Sequence, residues 1–157
     1  MRLPYFIYLS ALSFSIQAAD IKPFKSDGCS AFPDGTLEQH QLWLRCCHAH
    51  DLAYWRGGSY QEREQADLTL QACVASVSDA TLAALMLTGV RIGGSPYLPF
   101  TFRWGYGWPW PRGYKPLTAN ELAQIEASLK NQPTYLNPPE KQIHNKKQDP
   151  YNETLYR

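Results

Sequence analysis

Apolar and polar positions divide the chain into four helical stretches, one alternating stretch and two ends of different character. Residues 1–19 carry a single charge, Arg2, then an apolar run from Leu3 to Ile16 and small residues at Ala18 and Ala19. That order predicts a signal peptide, with the mature chain beginning near Ala19 or Asp20. The run falls short of the roughly 20 residues a spanning helix needs, so a retained anchor is the weaker alternative. Pro23, Gly28, Pro33 and Gly35 then punctuate a loop. A helix is predicted from about Leu37 to Trp55, stopped by Gly57 and Gly58. Ser59 with Glu62 forms a capping-box pattern that opens a second helix to about Val77. A short apolar helix follows from Ala80 to about Val90, and Thr118 with Glu121 opens a last one to about Leu129.

Between these helices, Phe100, Phe102, Trp104, Tyr106, Trp108 and Trp110 stand at every second position. Period two predicts one face of an extended segment, and Pro109 and Pro111 place it at a sheet edge or in a polyproline stretch. The face has three readings: core cover for the helices, an acyl-chain channel, or a membrane-interface surface. Arg103 and Arg112 nearby suit phosphate head groups. From Asn131 the chain is polar and Pro-rich, and a mobile tail is expected over 131–157. The expected organisation is therefore a signal peptide at 1–19, one domain at 20–130 and the tail.

Composition narrows the class. At 157 residues and 44% hydrophobic, the chain suits a single folded domain. A net charge of +1 gives no basic face, which argues against nucleic acid as a partner. Four Cys are too few for a cysteine-dense scaffold, and export makes disulfides their expected state, in a periplasm or outside the cell.

The chemistry lies in the first two helices. In Cys46-Cys47-His48-Ala49-His50-Asp51-Leu52-Ala53-Tyr54, the residues Cys46, His50 and Tyr54 share one helical stripe, with Asp51 beside His50. On the second helix, Asp67 and Cys73 share a broad face. The Gly57-Gly58-Ser59 turn makes the two helices antiparallel, so partner residue numbers keep a constant sum. Cys46 with Cys73 and Ala53 with Ala66 share one such sum, and His50 with Asp67 falls within one turn of it. A Cys46–Cys73 bridge therefore brings His50 near Asp67, and the facing alanines permit the close approach a disulfide needs. Cys29 and Cys47 remain as the second pair.

These residues resemble the active-site helix of secreted phospholipase A2, whose motif is C-C-x-x-H-D-x-C-Y, matched here at Cys46, Cys47, His50, Asp51 and Tyr54. The second helix is similar to that family's partner helix, with Asp67 six residues before Cys73. The resemblance covers about Gly28 to Cys73. It implies a mainly α fold of phospholipase A2 type: two antiparallel disulfide-linked helices, short helices and the aromatic extended segment. The family's further inter-helix disulfide falls at Ala53 and Ala66, lost at both ends together. The short Gly57–Ser59 turn looks like a bacterial-type relative without the long insertion of animal-type members.

The resemblance also implies roles. His50 is the expected general base, Asp67 its orienting carboxylate, and Tyr54 a hydrogen-bond partner of Asp67. Asp51 is the expected Ca²⁺ ligand, with backbone carbonyls of Gly28, Ser30 and Phe32 and the side chain of Asp34 completing the site. The loop after Cys29 departs from the family's Gly-rich pattern, and Pro33 prevents it from having the same shape throughout. Asp27 is a further compensating ligand, and Asp34 is equally readable as the N-cap of the first helix.

The implied function is calcium-dependent hydrolysis of a phospholipid acyl ester, at a membrane surface or on free lipid. The rivals are a catalytically silent scaffold that binds lipid or an envelope partner, and a structural envelope protein using the tail as a contact arm. His50 also reads as a core histidine paired with Asp67. His40 and His48 read as solvated. A Zn²⁺ site from Cys46, Cys47, His48 and His50 is disfavoured, because helical spacing spreads those residues over different faces.

Overall fold

A computed structural model describes residues 20–132, and the expected signal peptide and nearly all of the expected tail lie outside them. The described residues form four α-helices: α1 (Leu44–Arg56), α2 (Tyr60–Val77), α3 (Ala80–Gly93) and α4 (Ala119–Lys130). Among the described residues there are no strands. The protein is therefore mainly helical, with two disulfides, Cys29–Cys47 and Cys46–Cys73. Their Cα separations of 5.0 and 5.7 Å lie in the usual disulfide range.

Local sequence chemistry sets the helix ends. Ser59 accepts from the Glu62 amide while the Glu62 carboxylate accepts from the Ser59 amide, and Thr118 and Glu121 repeat the arrangement at α4. Asp79 caps α3 through the Leu82 amide. Gly57, at φ 66°, ends α1 in a conformation L side chains rarely adopt.

The first helix is shorter than the sequence predicts. Residues 37–43 form turns, and α1 begins at Leu44 without a side-chain cap. The preceding stretch closes on itself: Thr36 and Gln39 exchange hydrogen bonds, Trp43 Nε1 donates to the Pro33 carbonyl, and the Trp43 amide donates to the Asp34 carbonyl. These local bonds outcompete the helical ladder.

The aromatic segment is also not the extended face its alternation predicts. It is a run of turns that receives the C-terminal end of α1. The amides of Gly105 and Gly107 donate to the carbonyls of Tyr54 and Trp55, and Trp108 Nε1 donates to the Arg56 carbonyl at 2.7 Å. Helix-terminal carbonyls need such partners, and Gly105 meets this one at φ 72°, which a strand does not allow. Trp104 and Trp108 are buried, while Tyr97, Phe100, Phe102 and Trp110 remain exposed.

Two apolar clusters share α1. One gathers Trp43, Leu70, Val74, Ala83 and Met86 around both disulfides. The other joins Phe24, Trp55, Trp108 and Ile125, binding the N-terminal loop, the end of α1, the aromatic turns and α4. Helix α1 is thus fixed along its whole length, by cystines at one end and aromatic packing at the other.

Candidate functional site

The Cys46–Cys73 bridge sets α1 and α2 antiparallel, and one turn further along His50 Nε2 lies 3.0 Å from Asp67 Oδ1. A carboxylate only accepts, so Nε2 donates in this contact, and in the neutral imidazole the lone pair is then on Nδ1. Among the described residues, no hydrogen bond engages Nδ1. The Tyr54 hydroxyl donates to the same Asp67 oxygen at 2.7 Å. Burial, and then the charge of Asp67, push the Tyr54 hydroxyl above its ordinary pKa range, so it stays a donor. Asp67 itself is 1% exposed.

A buried carboxylate needs further compensation, and Arg63 supplies it. Its Nε donates to Tyr54 Oη at 3.1 Å and lies 3.9 Å from Asp67 Oδ2. Its Nη2 donates to the carbonyls of Val90 and Arg91, and its Nη1 to Tyr114 Oη. One buried side chain thereby connects α1, α2, the end of α3 and Tyr114, four residues past the aromatic segment. Sequence reasoning missed Arg63, although its place one helical turn before Asp67 was the available signal.

Asp51 adjoins His50 in sequence but has separate company. Its Oδ2 accepts from Ser26 Oγ at 2.5 Å, and among the described residues no cation pairs with it. Burial pushes its carboxyl up to about 7; the Ser26 bond opposes this, and the charges of Asp27 and Asp34 add to it. Ser26 is a second residue the sequence did not reveal, since it reaches Asp51 from 25 positions away.

The loop side chains largely hold one another. Asp34 Oδ1 accepts from the Cys29 amide at 2.9 Å, and Asp27 Oδ1 accepts from Ser30 Oγ at 2.6 Å. Asp34 therefore does not cap α1. It braces the loop against Gly28, where a side chain would collide with the Asp34 carboxylate and where φ is 81°, a conformation L side chains rarely adopt. His48 is half-buried rather than solvated, and that burial lowers its pKa against the opposing pull of Asp34. His40 is exposed.

No cluster of three or more His, Cys, Asp or Glu side chains converges to hold a metal among the described residues. A cation at Asp51 would have to be held by that one carboxylate together with main-chain carbonyls and water. Among the described residues, the carbonyls of Gly28, Ser30 and Phe32 accept no hydrogen bond; oxygen donors of this kind are what a hard cation such as Ca²⁺ takes. Cys46 and Cys47 are both in disulfides, which removes the thiolates a Zn²⁺ site would use.

The arrangement provides a ring nitrogen free to take a proton, a carboxylate that stabilises the resulting imidazolium, and a separate carboxylate lacking a cation. A small cavity of about 120 Å³, lined by Tyr60, Arg63, Asp67 and Arg91, lies on the Asp67 side of the pair. Comparison with family models, with curated proteins and with solved structures finds no match to this chain.

Proposed function

We propose that the protein is an exported lipid acyl-ester hydrolase of phospholipase A2 type, dependent on calcium. The observation that carries the reading is the His50–Asp67 pair, held at 3.0 Å with Nδ1 unengaged and Asp51 next in sequence. A silent core histidine needs the first contact but not the free nitrogen or the cation-deficient carboxylate.

In this reading His50 Nδ1 removes a proton from water as the water oxygen attacks the ester carbonyl. The same proton then passes to the departing alkoxide, leaving a fatty acid and a lysolipid. Asp67 fixes the tautomer of His50 and stabilises its charged form, while Tyr54 and Arg63 fix Asp67. Asp51 and the loop carbonyls would hold Ca²⁺, which when bound polarises the ester carbonyl.

Fatty-acid release from mixed phospholipid vesicles, in calcium and in chelator, beside His50→Gln, tests the reading. Release that requires both calcium and His50 supports it; release that His50→Gln leaves intact overturns it. The rival, a silent lipid-binding scaffold, draws on exposed Ile92, Phe100 and Phe102, with Phe102 against Gly93 at the end of α3. It predicts vesicle binding without release.

A further inference from the structure

The outer face of α3 differs from those of α2 and α4. Between Asp79, its N-cap, and Arg91, in its last turn, the chain carries no charged residue. The exposed positions of α2 include Glu62, and those of α4 include Glu126 and Lys130. On α3, Thr81, Ala84, Leu85, Thr88 and Ile92 recur at helical spacing, and all are exposed. Leu85 and Ile92 are 59% and 73% exposed. The opposite face is the one that packs, with Ala83 and Met86 buried and Leu82 and Val90 against the same cluster. The helix is thus uncharged all round, while the fold covers only one side of it. We infer that the outer face of α3 pairs with the same face of a second copy of this chain, antiparallel, about a two-fold axis.

The spacing of the face residues supplies the register. In an antiparallel pair, partner numbers keep a constant sum. Leu85 with Thr88, Ala84 with Gly89, and Thr81 with Ile92 all share one sum. A single register therefore matches every exposed position of the face with another. It sets Ala84 against Gly89, so the two backbones can approach closely, and it lays Leu85 and Ile92 each over a threonine. Thr88 Oγ1 already donates to the Ala84 carbonyl at 2.9 Å, so covering it strands no hydroxyl donor.

Gly89 has no other role in the fold. It lies inside the helix, where glycine is destabilising relative to alanine. A Cβ built on it meets nothing within 4 Å, and its φ is not among the positive ones. Close approach of a second helix is what its missing side chain permits.

Charge selects the copy and its direction. Among the described residues, neither Asp79 nor Arg91 makes an ion pair. Antiparallel pairing sets the acidic end of each helix beside the basic end of its copy, whereas parallel pairing sets like ends together. A lipid surface fits the face less well. It is held by flanking Lys, Arg, Trp or Tyr, and the stretch around Asp79, residues 76–82, contains none. At 14 residues α3 is about 21 Å long. One such helix pair covers less than the roughly 1,200 Å² of a standard interface, so the dimer is weak and concentration-dependent. The inference does not depend on any role for His50.

The test is sedimentation equilibrium of the disulfide-bonded chain at concentrations up to about 1 mM. A monomer–dimer equilibrium is expected, and Leu85→Glu and Gly89→Gln should each weaken it by about 10-fold or more. Gly89→Gln separates the interface from folding. Gln is the better helix former and nothing crowds the position, so the thermal midpoint of the monomer should hold or rise. In a mixture of isotope-labelled and unlabelled chain, filtered NOEs should join Thr81 to Ile92. These residues lie about 16 Å apart along one helix, so the contact arises only between copies. A chain that stays monomeric, a dimer that both variants leave unchanged, or a dimer without the Thr81–Ile92 contact overturns the inference. If the monomeric chain instead binds phosphatidylcholine vesicles in chelator, and Leu85→Glu abolishes that binding, the face belongs to lipid and the inference is overturned.

Discussion

His50 and Asp67 meet across two helices joined covalently one turn away, at Cys46 and Cys73. The disulfide places the helices in register, and the pair inherits that register. His50→Gln keeps the volume and a donor toward Asp67 but removes the free ring nitrogen. On the proposed function, lipid hydrolysis should fall by about 100- to 10,000-fold with little change in unfolding midpoint, measured by fatty-acid release and thermal melting.

The buried Arg63 carries a structural burden that its charge alone does not convey. Arg63→Met leaves Asp67 and two carbonyls short of donors, at a cost of about 3–5 kcal/mol in a denaturant titration. Arg63→Lys keeps the charge but loses the fork that reaches Tyr54, Tyr114, Val90 and Arg91 together. Its destabilisation should be smaller than that of Met but still measurable.

Calcium should stabilise the protein through Asp51. Asp51→Asn should abolish the calcium-dependent rise in melting temperature, while in chelator the variant should be at least as stable as the parent. The second outcome follows because burial already disfavours the Asp51 charge, and an amide keeps a partner for Ser26. Differential scanning calorimetry with and without chelator reads both.

Trp104 and Trp108 should behave as core residues. Replacing either by Ala should cost about 3–5 kcal/mol, because each is buried and its indole N–H is bonded to a main-chain carbonyl. Trp110→Ala, at an exposed ring, should cost far less. Paired urea titrations distinguish the two classes.

Acid should weaken the protein at a second pair. The Arg112 hydrogen bond is the main cause that holds the Glu121 carboxyl at about 2, below its ordinary value of 4.5. A depressed folded-state value contributes stability that is complete above about pH 4.5 and is lost as pH falls toward about 2. Solvent screening limits the contribution to on the order of 1 kcal/mol. Thermal midpoints taken through that range should flatten in Glu121→Gln.

Sequence made the helices and the dyad legible, and it misled where local pattern competed with packing. Helical spacing and the antiparallel register place Cys46, His50, Asp67 and Cys73 correctly, because all four sit inside regular helices where periodicity governs. The capping boxes at Ser59 and Thr118 fix helix starts for the same reason. Alternation from Phe100 to Trp110 resembles a strand, yet Gly105 and Gly107 bend it so that their amides reach the end of α1. Those contacts span some fifty residues, and no local pattern records them. Ser26 and Arg63 are hidden for different reasons: Ser26 acts across a loop, and nothing in the local pattern around Arg63 shows that it is buried beside Asp67.

The reception of α1 by residues 105–108 has a consequence for the timing of maturation. Every cysteine precedes residue 74, so both bridges can close while the remainder of the chain is still being made. The carbonyls at the end of α1 wait for Gly105, Gly107 and Trp108. Oxidation and completion of the helix are therefore separate events, and a chain halted before residue 105 would be correctly bridged yet unfinished at the helix that carries His50.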